Sequence, residues 1–186
     1  MSRRLAGTLI VGLGLALLPA AHASAEEFTC RRTVGARTLD NVRVPQGATC
    51  VLEGTRVEGT ITVQNDATLR ARDVRVIGNV QGENASLVVV AAGSRIGGSV
   101  QVVQGGAARV TRSRVTGDIQ FDEQNRALKV VRTDVGGSVQ VMQNTGGVEI
   151  TDNTIDGNLQ CKENRPAPTG GNNVVGGNKE DQCARL

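Results

Sequence analysis

Few side chains in this sequence are equipped for chemistry. Its 186 residues include one histidine, His22, inside an apolar N-terminal stretch that reads as an export signal. Once that stretch is removed no imidazole is left, which removes Ser-His-Asp and Cys-His catalysis, histidine metal ligation and a histidine pH switch. Asp118, Asp122, Glu123 and Arg126 form the one dense acid–base grouping. A polysaccharide lyase needs such a base, with Ca²⁺ or arginine to neutralise a uronate, but a strand and the turn after it more often carry these residues as a solvated corner. Paired carboxylates on facing loops, which glycoside hydrolysis requires, are not identifiable. Cys30, Cys50, Cys161 and Cys183 are widely separated and include no Cys-x-x-Cys, so a zinc site is poorly supported and a catalytic thiol lacks a base. Nothing calls for a cofactor. Arginine, in contrast, recurs: Arg56, Arg75, Arg95 and Arg114 stand at intervals of 19, 20 and 19 residues.

The composition supports one folded domain. Apolar residues make up 39% and charged residues 21%, with a net charge of +3, which argues against both disorder and a strong polyion binder. Residues 1–25 read as a signal peptide: Arg3 and Arg4 start it, Leu5 to Leu18 is too short to span a bilayer comfortably, and Pro19 ends it. Two small-x-small sites follow, Ala21-His22-Ala23 and Ala23-Ser24-Ala25, and the second places the mature domain at 26–186. The adjacent arginines leave both Sec and twin-arginine export open. With no second long apolar run, the expected product has no transmembrane segment and is secreted, extracellular or held in the cell envelope.

The elements that must position the arginines follow from a repeat. Gly59, Gly78, Gly98, Gly117, Gly137, Gly157 and Gly177 are separated by 19 or 20 residues, the mark of a repeat architecture. Apolar residues flank each glycine at fixed offsets. Val57, Val76, Ile96, Val115, Val135 and Ile155 precede it by two; Ile61, Val80, Val100, Ile119, Val139 and Leu159 follow it by two. Earlier in each unit a second alternating pair recurs as Leu69/Ala71, Val89/Ala91, Ala108/Val110, Leu128/Val130 and Val148/Ile150. Period-2, β-branched patterning predicts strands. Three short strands per unit cannot build a helical repeat, and the expected fold is all-β, a right-handed parallel β-helix (β-solenoid) of about seven coils and roughly 20 residues per coil. A left-handed hexapeptide helix would want roughly 18 residues per turn, and a sandwich or barrel, the competing architecture, has no need of constant spacing. The glycine is expected at a corner, where positive φ or missing Cβ bulk helps.

The strings Arg95-Ile96-Gly97-Gly98-Ser99-Val100-Gln101-Val102 and Asp134-Val135-Gly136-Gly137-Ser138-Val139-Gln140-Val141, with the tail Gly157 to Asn164, resemble the small secreted β-helix proteins common in actinobacteria. The resemblance covers about Cys30 to Cys183. It implies a secreted right-handed parallel β-helix and supplies no activity. The wider pectin-lyase-like superfamily includes lyases and hydrolases, but no motif here maps onto their active sites.

Cys30 and Cys50 are 20 residues apart, one coil; Cys161 and Cys183 are 22 apart. Neighbouring coils hold equivalent Cα atoms at about 4.8 Å, within disulfide reach, so one disulfide is expected at each end. Outward positions form columns. Three residues after the glycine stand Thr62, Gln81, Gln101, Gln120, Gln140 and Gln160, an expected glutamine ladder with amide hydrogen bonds up the stack. Three before it stand Arg56, Arg75, Arg95 and Arg114, then Asp134 and Thr154, with Arg70, Arg72, Arg109, Arg112, Lys129 and Arg132 nearby. This stripe is expected to be a solvated face balanced by Asp73, Glu83, Asp118 and Asp134, or a binding surface for an anionic polysaccharide or cell-envelope polymer. Nucleic acid is not an expected partner. A non-enzymatic structural or adhesion-type scaffold leads, a binder of anionic polymer follows, and a polysaccharide-active enzyme comes last. The oligomeric state is not specified by these residues.

Overall fold

A computed structural model describes residues 26–186; the expected signal peptide lies outside the described residues. The chain winds as a β-solenoid of three parallel sheets with nine, eight and eight strands. The first sheet runs from Glu27–Thr29 to Lys179–Asp181, the second from Thr33–Val34 to Thr169–Gly171, and the third from Thr38–Leu39 to Val174–Val175. The eight strands of the second sheet are separated by seven turns of the solenoid. Among the described residues there is no α-helix, and none long and apolar enough to cross a membrane.

Alternation puts every second strand residue inside. Val100, Ile119 and Val139 are register partners on successive strands of the first sheet and are fully buried. Val102, Phe121 and Val141 form the next internal column, and Phe121 is the bulkiest side chain buried in the core. Val76, Ile96, Val115 and Val135 line the third sheet from inside.

One expected pair is displaced by a residue. In the strand Leu87–Ala91 the core residues are Val88 and Val90, not Val89 and Ala91. Val88 sits beside Leu69 and Ala108, while Val89 lies between Arg70 and Arg109 on the outer face. The run Leu-Val-Val-Val-Ala has no polar member to mark a face, and a one-residue slip exchanges the two faces.

The recurring glycine is needed for room, not for a left-handed backbone. None of Gly59, Gly78, Gly98, Gly117, Gly137, Gly157 and Gly177 has positive φ. A Cβ on Gly78 would lie 2.7 Å from the Gly59 carbonyl oxygen, and one on Gly157 would lie 2.8 Å from that of Gly137. The left-handed turns fall at two other corners and are mostly made by non-glycine residues. Asp73, Arg112, Arg132, Asp152 and Asn172 occupy one; Asp66, Asn84, Gln104, Glu123, Gln143 and Glu163 occupy the other.

The residue after each glycine explains the tight space. Asn79 Oδ1 accepts the Ser99 N–H at 2.8 Å, Ser99 Oγ accepts that of Asp118 at 3.0 Å, and Asp118 Oδ1 accepts that of Ser138 at 2.7 Å. Ser138 Oγ and Asn158 Oδ1 continue the series to Asn158 and Asn178 at 3.0 and 2.8 Å. Each short side chain passes under the glycine of the next coil, where a Cβ would strike it.

Ile119 reports on this stacking directly. Ile119→Val should cost about 1 kcal/mol in denaturant unfolding, whereas Ile119→Asp buries a charge without a partner and should leave no cooperatively folded protein by circular dichroism. A soluble Ile119→Asp protein of unchanged stability would contradict the inward placement.

Candidate functional site

The cysteines lie where end-capping requires. Cys30 is bonded to Cys50 with Cα atoms 5.4 Å apart, and Cys161 to Cys183 with 5.3 Å. All four are fully buried and none is free. In the chain-entropy account, closing each loop of this length contributes roughly 3 kcal/mol. The thiols are thereby used for structure.

On the outer face of the first sheet the glutamines form a continuous ladder. Gln101 Nε2 donates to Gln120 Oε1 at 2.9 Å, Gln120 to Gln140 at 3.1 Å, and Gln140 to Gln160 at 3.1 Å. Gln81 extends it weakly to Gln101 at 3.4 Å, and Gln160 ends it on Glu180 at 2.7 Å. A shallow groove of about 670 Å³ lies along its first rungs, between Thr62, Gln81, Gln101 and Gln120 and the corner residues Gln64 and Glu83.

Arg56, Arg75, Arg95 and Arg114 are successive register partners in the third sheet, followed by Asp134 and Thr154. The column is uneven in charge. Arg56 pairs with Glu58 at 3.3 Å and Arg114 with Asp134 at 3.1 Å, while among the described residues no carboxylate pairs with Arg75 or Arg95. Compensation differs from expectation. Among the described residues, only Asp134 of Asp73, Glu83, Asp118 and Asp134 forms an ion pair; Glu149 pairs with Lys129, and Asp152 with Arg132 at 3.7 Å. Charges alternate along a register column when successive coils carry opposite signs, so the partner is the next rung, as with Lys129 and Glu149.

The acid–base grouping does not assemble as a unit. Asp118 is a rung of the hydrogen-bond series described above. Glu123, at a left-handed corner, accepts the Gln104 amide at 3.1 Å, and Arg126 is exposed. Asp122 is half-buried, and desolvation, with repulsion from Glu123, raises its carboxyl above the usual range. Its Oδ1 is buried without a hydrogen-bond partner.

Two buried polar columns went unnoticed in the sequence. Thr55, Ser94, Ser113, Thr133, Asn153 and Asn173 precede six of the seven glycines by four residues, with Val74 at that place before Gly78, and Gln124, Asn144 and Asn164 follow Gly117, Gly137 and Gly157 by seven. Asn144 Nδ2 donates to Asn164 Oδ1 at 2.8 Å, and Asn153 Nδ2 to Asn173 Oδ1 at 2.9 Å. Each amide also reaches back to the preceding coil, to the carbonyls of Phe121 and Val130. Their signal in the sequence is fixed spacing from the glycines, masked because serine, threonine and asparagine ordinarily mark turns.

Compared with protein-family models, curated proteins and solved structures, the chain has no significant match.

The raised Asp122 carboxyl has a signed consequence. The folded state binds its proton more tightly than the unfolded state, so this group favours folding as pH falls through the window above its ordinary value. Asp122→Asn should therefore raise the melting temperature at pH 7, with the gain shrinking below about pH 3. A melting temperature lowered equally at both pH values would contradict the assignment.

Proposed function

We propose that this protein is an exported, non-catalytic β-solenoid that serves as a structural or adhesion-type surface scaffold. One observation carries the reading: most of the side chains able to do chemistry are committed to joining one coil to the next. The cysteines form end disulfides, Asp118 accepts a backbone N–H of the following coil, and the glutamines hydrogen-bond to one another. Export is supported by the signal-like residues 1–25 and by two disulfides, which persist in oxidising compartments. Kinship with the small secreted β-helix proteins of actinobacteria, within the pectin-lyase-like superfamily, belongs to the same proposal and rests on the repeated Gly-Gly-Ser-Val-Gln-Val strings. Fractionating cells that produce the full chain should place the processed protein in the medium or the wall. Cleavage of any member of a polysaccharide panel would overturn the non-catalytic assignment.

A second reading is favoured by the adjacent Arg75 and Arg95, which lack carboxylate partners among the described residues. The protein would then hold an anionic envelope or extracellular polymer through guanidinium–oxyanion contacts. Retention on an anionic-polysaccharide column should be measurable at low salt, weaken as salt screens the exposed charges, and fall about tenfold in Arg75→Glu with Arg95→Glu. No retention of the native chain at low salt would remove this reading and leave the scaffold alone.

A further inference from the structure

Beside the arginine column, at the corner joining the second and third sheets, lies a hollow of about 460 Å³. Its wall carries Arg95 and Arg114 from the column and Arg112 and Arg132 from the corner, with Asp134 as the one acid lining it. Arg95 and Arg114 are register partners. The Arg112 N–H bonds to the Val131 carbonyl, which sets Arg132 one rung above Arg112. The four guanidiniums therefore stand as two rungs on each of two columns. Asp134 engages Arg114 and Asp152 engages Arg132, whereas Arg95 and Arg112 have no carboxylate partner among the described residues.

The backbone adds a second observation. Arg112 and Arg132 have φ of 47° and 52°, the left-handed region that asparagine, aspartate and glycine enter most readily. The same corner on other coils is built by Gly54, Asp73, Asp152 and Asn172, and one coil uses Ala92 followed by Gly93. Ala92, Arg112 and Arg132, on three consecutive coils, depart from the favourable types, and the two arginines line the hollow. Placing a long cation there costs backbone free energy and adds like charge to a site that already holds two arginines. Arg132 meets Asp152 on the next rung at 3.7 Å, but among the described residues no such partner explains Arg112, unlike Gln104 at the opposite corner, whose amide bonds to Glu123.

We propose that this hollow is an anion-binding site for the carboxylate or sulfate groups of an acidic polysaccharide, with Arg95 and Arg112 as its principal ligands and Arg114 and Arg132 as flanking cations. The proposal rests on the polyanion reading above and gives it a location. Coils about 4.8 Å apart present paired forks along the axis, a geometry suited to substituents spaced along a linear chain. Nucleic acid is the less fitting polyanion because binding single strands relies on aromatic stacking platforms. Of the two phenylalanines, Phe121 is buried, and Phe28 lies under Arg37 at the far end of the solenoid.

The test compares the disulfide-bonded full chain with Arg112→Asn plus Arg132→Asn, and with Arg70→Gln plus Arg72→Gln, which removes equal charge from the second sheet. Binding to polygalacturonate, heparin and single-stranded DNA is measured by titration at low salt, beside thermal unfolding. The corner variant should lose about tenfold in affinity for polygalacturonate or heparin while its melting temperature holds or rises, because asparagine suits the left-handed backbone; the control should change by less than about threefold. The two glycan probes separate carboxylate from sulfate as the preferred group. Equal losses in both variants, or a corner variant that binds normally, would overturn the hollow while leaving the polyanion reading in place. Tighter binding of DNA than of either glycan would overturn the choice of polymer. Failure of the native chain to bind any probe would overturn both readings, and a corner variant that melts markedly lower would assign the arginines a structural role instead.

Discussion

The structure depends on one repeated contact. A short polar side chain directly after each glycine accepts the backbone N–H of the next coil, and the glycine of that coil leaves the space it occupies. Both halves are necessary. Without the acceptor, a backbone N–H at a partly buried corner loses its partner, at a cost of about 1–3 kcal/mol; with any larger residue in place of the glycine, the coils cannot close to strand spacing. Every other column, apolar or charged, inherits its register from this contact.

That inheritance explains why the surface is organised in rows. Once coils stack in register, an outward residue meets its equivalents above and below, so like residues in one row either satisfy one another or repel. Glutamine belongs to the first kind, since each amide carries both donor and acceptor, and the ladder from Gln81 to Gln160 is self-satisfying. Arginine has donors only. Its row is relieved at one end by Glu58 and at the other by Asp134, and it is left unrelieved at Arg75 and Arg95. The exposed positions keep the repulsion small because water screens it.

The repeat was legible because it constrains spacing. The glycine interval set the coil length and the glutamine and arginine rows, period-2 β-branched patterning supplied the strands, and one-coil spacing gave the cysteine pairing. Three matters were not legible. The face of Leu87–Ala91 could not be chosen, as the run is apolar throughout. The asparagine columns were hidden because asparagine ordinarily signals a turn, whereas a buried amide is stable here only through its partners one coil away. The balancing acids Asp73, Glu83, Asp118 and Asp134 could be named from the sequence but not matched to individual arginines, since stacking brings together residues about 20 positions apart, as with Arg114 and Asp134.

The same logic bears on where function can reside in a solenoid of this kind. Interior and corner positions that join coils are constrained by both neighbours, so a residue there is explained by what it satisfies. Asp118, conspicuous as a catalytic candidate when read along the chain, is one rung in a series of serines, threonine and asparagines that perform the same task. Departures from a row carry more information than its members. Arg112 and Arg132 both occupy a backbone state better suited to asparagine. Arg132 is held to the next rung by Asp152, whereas Arg112 has no carboxylate partner among the described residues, which places it among the few side chains whose presence stacking does not explain. Strain retained at a surface corner, beside two further guanidiniums, is the pattern expected when a residue is kept for what it contacts outside the fold.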